Sequence, residues 1–237
     1  MSAGNRLWRV STPAGPALQK LYGSRTGPLR DRWRGLLSRI IRGATSTVPA
    51  ARLRTERETL ALWSAAGIDV PGDWTDRFPG LAGEGVVLLE WIEGTPLDRV
   101  LSSGTIDRAA LLRRWAGEWG RRHRIAVAKN EGRFVQFHAG LMHTLVAGDR
   151  LVSIDLEQAY LPGPPVLSRI GREAAAVAKS LSKCGDEADF AAVAAGYPDP
   201  GMLREALRGV MGAAGRIHGD RKYQAVRQLD GALAARG

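Results

Sequence analysis

Residues 134–158, FVQFHAGLMHTLVAGDRLVSIDLEQ, constrain the fold more than any other stretch of this chain. Residues 134–138 read as a short strand. Residues 144–146 and 150–154 read as the arms of a hairpin that turns at Ala147-Gly148-Asp149. The segments around this stretch have a helical period, so a hairpin must be lodged inside a largely helical portion of the chain. Strand ends and the loops between them hold polar side chains in fixed positions. His138, His143, Asp155 and Glu157 collect there and form a candidate site.

The rest of the chain divides around that stretch. Residues 7–10 and 17–22 read as two strands joined by a turn containing Pro13 and Gly15. Residues 29–42 and 49–66 have helical periods, and 86–90 is a strongly apolar strand. The composition shifts after it, which places a boundary near residue 92. Beyond the boundary, helices are expected over 106–125 (with Thr105 as a possible cap), 167–181, 188–195, 202–217 and 222–233. Strands gathered early and helices late define an α+β protein of two lobes. The expected division is 1–92, a reduced strand-bearing lobe, and 93–237, a mostly helical lobe carrying the 134–158 hairpin.

The charge is as unevenly distributed as the secondary structure. Of a net charge of +10, the whole excess lies in residues 1–55, where 11 Lys and Arg face a single acid, Asp31. A local field of that kind attracts something anionic: phosphorylated lipid, acidic glycan or nucleic acid. Within this region Leu29, Trp33, Leu36, Leu37, Ile40 and Ile41 recur at helical spacing, with Arg30, Arg32, Arg34, Arg39 and Arg42 among the residues beside them. Such a helix suits an anionic membrane interface, or packs its stripe on the domain. The apolar face, and the lack of a base-reading motif, argue against nucleic acid.

One cysteine, Cys184, leaves no internal disulfide and no cysteine-based metal cluster. No apolar run reaches the length of a membrane span, and no signal-peptide core precedes Pro13. A cytoplasmic protein is expected, or one at the cytoplasmic face of the inner membrane.

Lys20 is one of only five lysines and stands in a strand near the start of the chain. A lone strand lysine is commonly a solvated edge residue. Taken with a helix glutamate, Glu56 or Glu58, and the acid-rich segment at Asp155, it suggests phosphate and divalent-metal work. A lysine amine pairs with phosphate oxygens, a carboxylate holds the amine, and an aspartate holds Mg²⁺ against the same phosphates.

In this order of motifs the chain resembles the bacterial small-molecule and lipopolysaccharide-core kinases, which share the protein-kinase-like fold with aminoglycoside and choline phosphotransferases. The resemblance covers roughly residues 7–180. It implies that Lys20 is the ATP-phosphate lysine and that Glu56 or Glu58 is its partner. VVLLEWIEGTPL at 86–97 looks like the hinge, with the backbone at Glu90, Trp91 and Ile92 meeting adenine. Ser153-Ile154-Asp155-Leu156-Glu157 looks like the metal-binding segment, with Asp155 as principal Mg²⁺ ligand and His143 and Glu157 as further candidates. The implied cofactors are ATP and Mg²⁺, or Mn²⁺, and the implied acceptor is an anionic or phosphorylated glycan or lipid.

The chain departs from the family pattern at the catalytic loop. His138 stands where the family has its catalytic aspartate, His143 where it has a metal-binding asparagine, and Gln136 where a histidine is usual. Histidine can act as a general base near neutral pH but does not repeat a carboxylate's charge. It also suits Mn²⁺ or Zn²⁺ better than Mg²⁺. Three readings stay open on these residues: an atypical ATP-dependent phosphotransferase using His138 and Asp155, a catalytically degenerate kinase-like binding protein at the membrane, and a transition-metal hydrolase.

Overall fold

The computed structural model describes residues 5–24, 27–104, 106–214 and 220–236. The chain clusters into two units. The first comprises Met1–Gly94 with Val152–Leu161, and the second comprises Thr95–Leu151 with Pro162–Gly237.

In the first unit, strands β1 (Arg6–Thr12), β2 (Gly15–Leu21) and β3 (Val86–Glu90) form an antiparallel sheet with β2 in the centre. The β1–β2 turn is closed by Thr12, whose hydroxyl donates to the Gly15 carbonyl at 2.8 Å and accepts from the Ala14 amide at 3.1 Å. The register sets Lys20 opposite Leu7 on one side and Val87 on the other. Lys20 is therefore not an edge residue. It is 5% exposed, in a strand paired on both sides.

Helix α1 (Pro28–Arg42) and helix α2 (Pro49–Ala65) complete this unit, each with proline in its first turn, where a missing N–H loses no helical bond. The buried face of α2 carries Arg52, Thr55, Glu56, Thr59, Leu60 and Trp63 at three- and four-residue intervals. Its first two turns bury polar groups, because Glu56 and Arg52 meet buried partners there.

The second stretch of this unit, 152–161, falls with the sheet rather than with the helices to which the sequence reading assigned it. Backbone bonds account for this. The Ser153 amide donates to the Asp69 carbonyl at 2.9 Å, Thr45 to Ala159 at 2.8 Å, and Leu161 to Gly43 at 2.7 Å.

The second unit contains β4 (Thr95–Pro96), α3 (Leu97–Ser103), α4 (Arg108–Ala128), β5 (Thr144–Ala147), α5 (Val166–Leu181), α6 (Glu187–Gly196), α7 (Pro200–Ala214) and α8 (Asp220–Ala234). Strand β6 (Arg150–Ser153) forms the other arm of the expected hairpin, in the order β4-β5-β6, with Gly148 left-handed in the turn. Asp107 caps α4, accepting from the Ala110 amide at 3.0 Å. Thr105, the expected cap, and residues 215–219 at the end of the expected 202–217 helix lie outside the described residues.

Close helix contacts are made at glycines. A side chain at Gly171 of α5 would strike the Ala206 backbone of α7, and one at Gly196 of α6 would strike the Arg113 backbone of α4.

Residues 134–138 are not the strand expected from their sequence. A 3-10 turn spans Gly132–Phe134, Phe134 and Val135 are both buried in succession, and the chain turns again at Phe137 and His138. The Gln136 amide donates to the buried Glu173 carboxylate at 2.8 Å, and Gln136 is a single bridge position rather than part of a strand.

Candidate functional site

Lys20 is the centre of a buried charge cluster contained entirely in the first unit. Its Nζ lies 2.8 Å from Glu56 Oε2, 3.2 Å from Asp155 Oδ1 and 3.2 Å from Glu157 Oε2. Each partner comes from a different place in the sequence. The central strand directs the amine inward, α2 supplies Glu56, and the segment after β6 supplies the two acids. Glu58, the alternative partner, is on the exposed face of α2.

Asp155 has φ 62, a left-handed conformation uncommon for a residue with a side chain. Aspartate tolerates it better than most. Strain of this sort persists where the surroundings fix it, commonly at functional sites. The Asp155 side chain is 36% exposed, whereas those of Glu56 and Glu157 are each 2% exposed.

Glu157, expected as a further metal ligand, meets Arg52 as well as Lys20. The Arg52 Nη2 reaches its two oxygens at 2.9 and 3.0 Å, and the Asn5 amide also donates to it. Arg52 in turn donates to the Gly23 carbonyl at 3.0 Å and to Asn5. Tyr22 donates its hydroxyl to Glu56, and its ring lies beneath both cations, 5.3 Å from Lys20 Nζ and 5.4 Å from the Arg52 guanidinium carbon.

Among the described residues, Glu56, Asp155 and Glu157 thus meet the cations Lys20 and Arg52 in one cluster. Burial works against the charged Lys20 amine, but Glu56, Asp155 and Glu157 outweigh it and hold the amine above its ordinary value. Complete burial pushes Glu56 up to about 7 despite Lys20, and the other two carboxylates push in the same direction. Burial pushes Glu157 in the same direction, yet Lys20, Arg52 and Asn5 bring it down to about 2.

The hinge expectation rests on Glu90, Trp91 and Ile92, at the end of this unit. The Glu90 amide donates to the Gly72 carbonyl at 2.8 Å, and its side chain accepts from the Gly72 amide at 3.1 Å. The Trp91 amide donates to the Pro16 carbonyl at 3.3 Å, and the Arg9 guanidinium lies 4.8 Å from its ring centroid. Two of the three backbone amides are therefore used within the sheet region.

His138 and His143 belong to the second unit. His138 is exposed, with its ring edge-on to Phe137 at 4.8 Å, and His143 ends a 3-10 turn, Leu141–His143. The same unit buries a second charged network. Glu173 accepts from Trp119 Nε1 at 3.0 Å, from Arg122 and from the Gln136 amide, and stands 3.1 Å from His123 Nε2. Tyr197 meets His123 Nδ1 at 2.7 Å. Burial pushes His123 below its usual value, the neutral form being favoured despite Glu173.

Among the described residues no group of three or more His, Cys, Asp or Glu side chains is arranged to hold a metal ion. A partly exposed aspartate such as Asp155 is still suited to Mg²⁺ of the kind that nucleotides carry. That ion is commonly bound by one or two carboxylates together with phosphate oxygens.

The chain is similar to WaaP. The solved structure of WaaP in complex with acyl carrier protein superposes with a TM-score of 0.53 at 18% identity, over 96% of this chain and 86% of that one. The likeness shows the fold, an α+β protein-kinase-like fold with a mostly helical C-terminal portion. No family model matches the sequence, and no curated protein matches it.

Sequence reasoning had no hold on Asn5, which carries no pattern. Arg52 was within reach, since it precedes Glu56 by four residues and so shares its helix face. Tyr22 follows Lys20 by two and so shares its strand face.

Proposed function

We propose that the chain is an ATP-dependent phosphotransferase acting on a hydroxyl of a sugar, in a phosphorylated or lipid-linked glycan. The observation that carries this reading is Lys20, held in the central strand between Glu56 of α2 and Asp155. In a kinase-like fold this arrangement offers one cation to phosphate oxygens, with a buried carboxylate to orient it and a partly exposed one for the accompanying metal.

ATP, when bound, supplies the phosphoryl group. Lys20 binds and orients the phosphates, exchanging part of its contact with Asp155 for theirs. Asp155 is the residue that would hold Mg²⁺ or Mn²⁺, its carboxylate being the partly exposed one of the cluster. Glu56 keeps the amine in place, while Arg52 and Glu157 brace the segment that carries Asp155. The adenine contact falls on the backbone of Ile92, beside Glu90 and Trp91 whose amides are engaged within the unit. His138 takes the acceptor hydroxyl's proton, with His143 as a second nitrogen near it in sequence.

The degenerate reading, a kinase-like protein that binds without transferring, is favoured by one observation. His138 stands where the family's catalytic carboxylate is expected. Transfer of the γ-phosphate from ATP to a panel of phosphorylated and lipid-linked glycans separates the two. Phosphotransfer predicts labelled glycan that disappears in Asp155→Ala and falls at least about a hundredfold in His138→Ala. Nucleotide binding without labelled product on any acceptor would support the degenerate reading.

A further inference from the structure

Helix α1 leaves its apolar face uncovered. Leu29, Trp33, Leu36, Leu37, Ile40 and Ile41 are all exposed, Leu29 at 74% and Trp33 at 67%. They account for six of the large hydrophobic residues exposed among those described, all on one helix of 15 residues. At about 100° per residue they fall opposite Asp31, Gly35 and Ser38, which are the buried positions of α1. The stripe therefore does not pack on the domain. The helix is docked by its small polar side and turns its greasy side out.

The docking is specific. Ser24 donates to the Asp31 carboxylate at 2.6 Å, and Thr47 donates to the Asp31 carbonyl at 3.1 Å. Gly35 lies so close to Ser46 that a side chain there would collide with it. At the C-terminal end Gly43 adopts a left-handed cap, and the Ala44 amide bonds to the Ser38 carbonyl at 3.1 Å.

Arginines border the uncovered stripe along both edges. By the same helical spacing Arg32 and Arg39 lie on one side of it, and Arg30 and Arg34 on the other, all exposed. Arg32 and Arg39 also line a cleft of about 600 Å³ with Ser24, Ser46 and Asp31. Asp31 is the only acid in residues 1–55 and is buried, so no carboxylate opposes these cations on α1.

We infer that α1 is a membrane-docking helix that lies in the interface of a bilayer containing anionic phospholipid. The apolar stripe enters the acyl boundary, and the two arginine rows reach back to headgroup phosphates. Charge complementarity selects this occupant. A second copy of the chain would set arginine rows against arginine rows, and a neutral bilayer would leave them unpaired. Among the described residues no helix is long and apolar enough to cross a membrane, so the contact is a surface one. This inference is independent of the nucleotide reading, which concerns other residues.

The test is flotation of the full chain with vesicles of phosphatidylcholine alone or with added phosphatidylglycerol, at low and high salt. The inference predicts flotation with the anionic vesicles only, weakened by salt. It also predicts a loss of at least about tenfold in Trp33→Ser/Ile40→Ser and in Arg34→Glu/Arg39→Glu. These positions are exposed, so thermal unfolding and ATP binding should match the parent chain. The inference is overturned if the chain stays with the unbound fraction in anionic vesicles, or if both double variants float as the parent does. It is also overturned if Trp33→Ser/Ile40→Ser dissolves a dimer seen by light scattering without changing vesicle binding.

Discussion

Lys20 Nζ lies 3.2 Å from Asp155 Oδ1 across 135 residues of sequence. That contact joins a central strand to a segment following the distant hairpin, and places an amine beside the one carboxylate of the cluster that solvent reaches. Lys20 is already surrounded by carboxylates, so an incoming phosphate must compete with Asp155 for it. A cation brought with the phosphates relieves that competition by taking Asp155. Binding of nucleotide should therefore be strongly metal-dependent, and ATP without divalent metal should bind at least about tenfold more weakly. Isothermal titration with and without Mg²⁺ or Mn²⁺ reads this directly.

The Arg52–Glu157 pair should matter for stability in a way that reveals its cause. Removing Arg52 leaves the buried Glu157 to Lys20 and Asn5, so Arg52→Leu should cost about 3 kcal/mol in denaturant unfolding. Replacing both, as Arg52→Leu/Glu157→Leu, should recover a substantial part of that loss. A double variant no more stable than the single one would show that the arginine acts through its bonds to Gly23 and Asn5 instead.

The pH dependence of stability should carry the signature of Glu56. The folded chain keeps a proton on Glu56 up to about pH 7, while an ordinary glutamate releases it near 4.5. Between those values the folded state binds more protons, so the contribution of Glu56 falls as pH rises from about 4.5 to about 7. Glu157 has the opposite sign. Depressed to about 2, it stabilises fully above 4.5 and loses that contribution as pH falls toward 2. Glu56→Gln should therefore flatten the decline in melting temperature between about pH 4.5 and 7 and leave the acid limb in place. A decline of unchanged slope in Glu56→Gln would assign it to another group.

Helix packing in the second unit depends on glycines at backbone contacts. Gly196→Ala and Gly171→Ala each place a methyl group against the backbone of a neighbouring helix. Each should lower stability by about 1–3 kcal/mol, whereas Gly209→Ala, in α7 with open space around it, should not. Thermal unfolding of the three variants distinguishes close packing from a general effect on helix propensity.

Much of this architecture was legible in the residues, and the exceptions have definable causes. The 86–90 strand was readable from its continuous apolar run, buried at Val87, Leu88 and Leu89, the hairpin from its turn at Gly148, and the helices from their periods. Residues 134–138 misled because Phe134 and Val135 are buried in succession at the end of a 3-10 turn, and the Gln136 amide that follows donates to a side chain, Glu173. Lys20 looked like a solvated edge residue because its three counter-charges are separated from it by tens of residues or more. α1 was read correctly as amphipathic, but sequence alone could not tell which face turns outward. The buried positions Asp31, Gly35 and Ser38 gave no hydrophobic signal. Asp155 was singled out by its motif, while its left-handed backbone became visible only in three dimensions.

The most direct measurement is the affinity of the parent chain, Lys20→Met and Asp155→Asn for ATP in the presence of Mg²⁺. Retained melting transitions would establish that each variant is folded. The account predicts saturable binding by the parent chain and a loss of at least about tenfold in each variant. Equal affinity in all three proteins, or no binding by a folded parent chain with either Mg²⁺ or Mn²⁺, would contradict it.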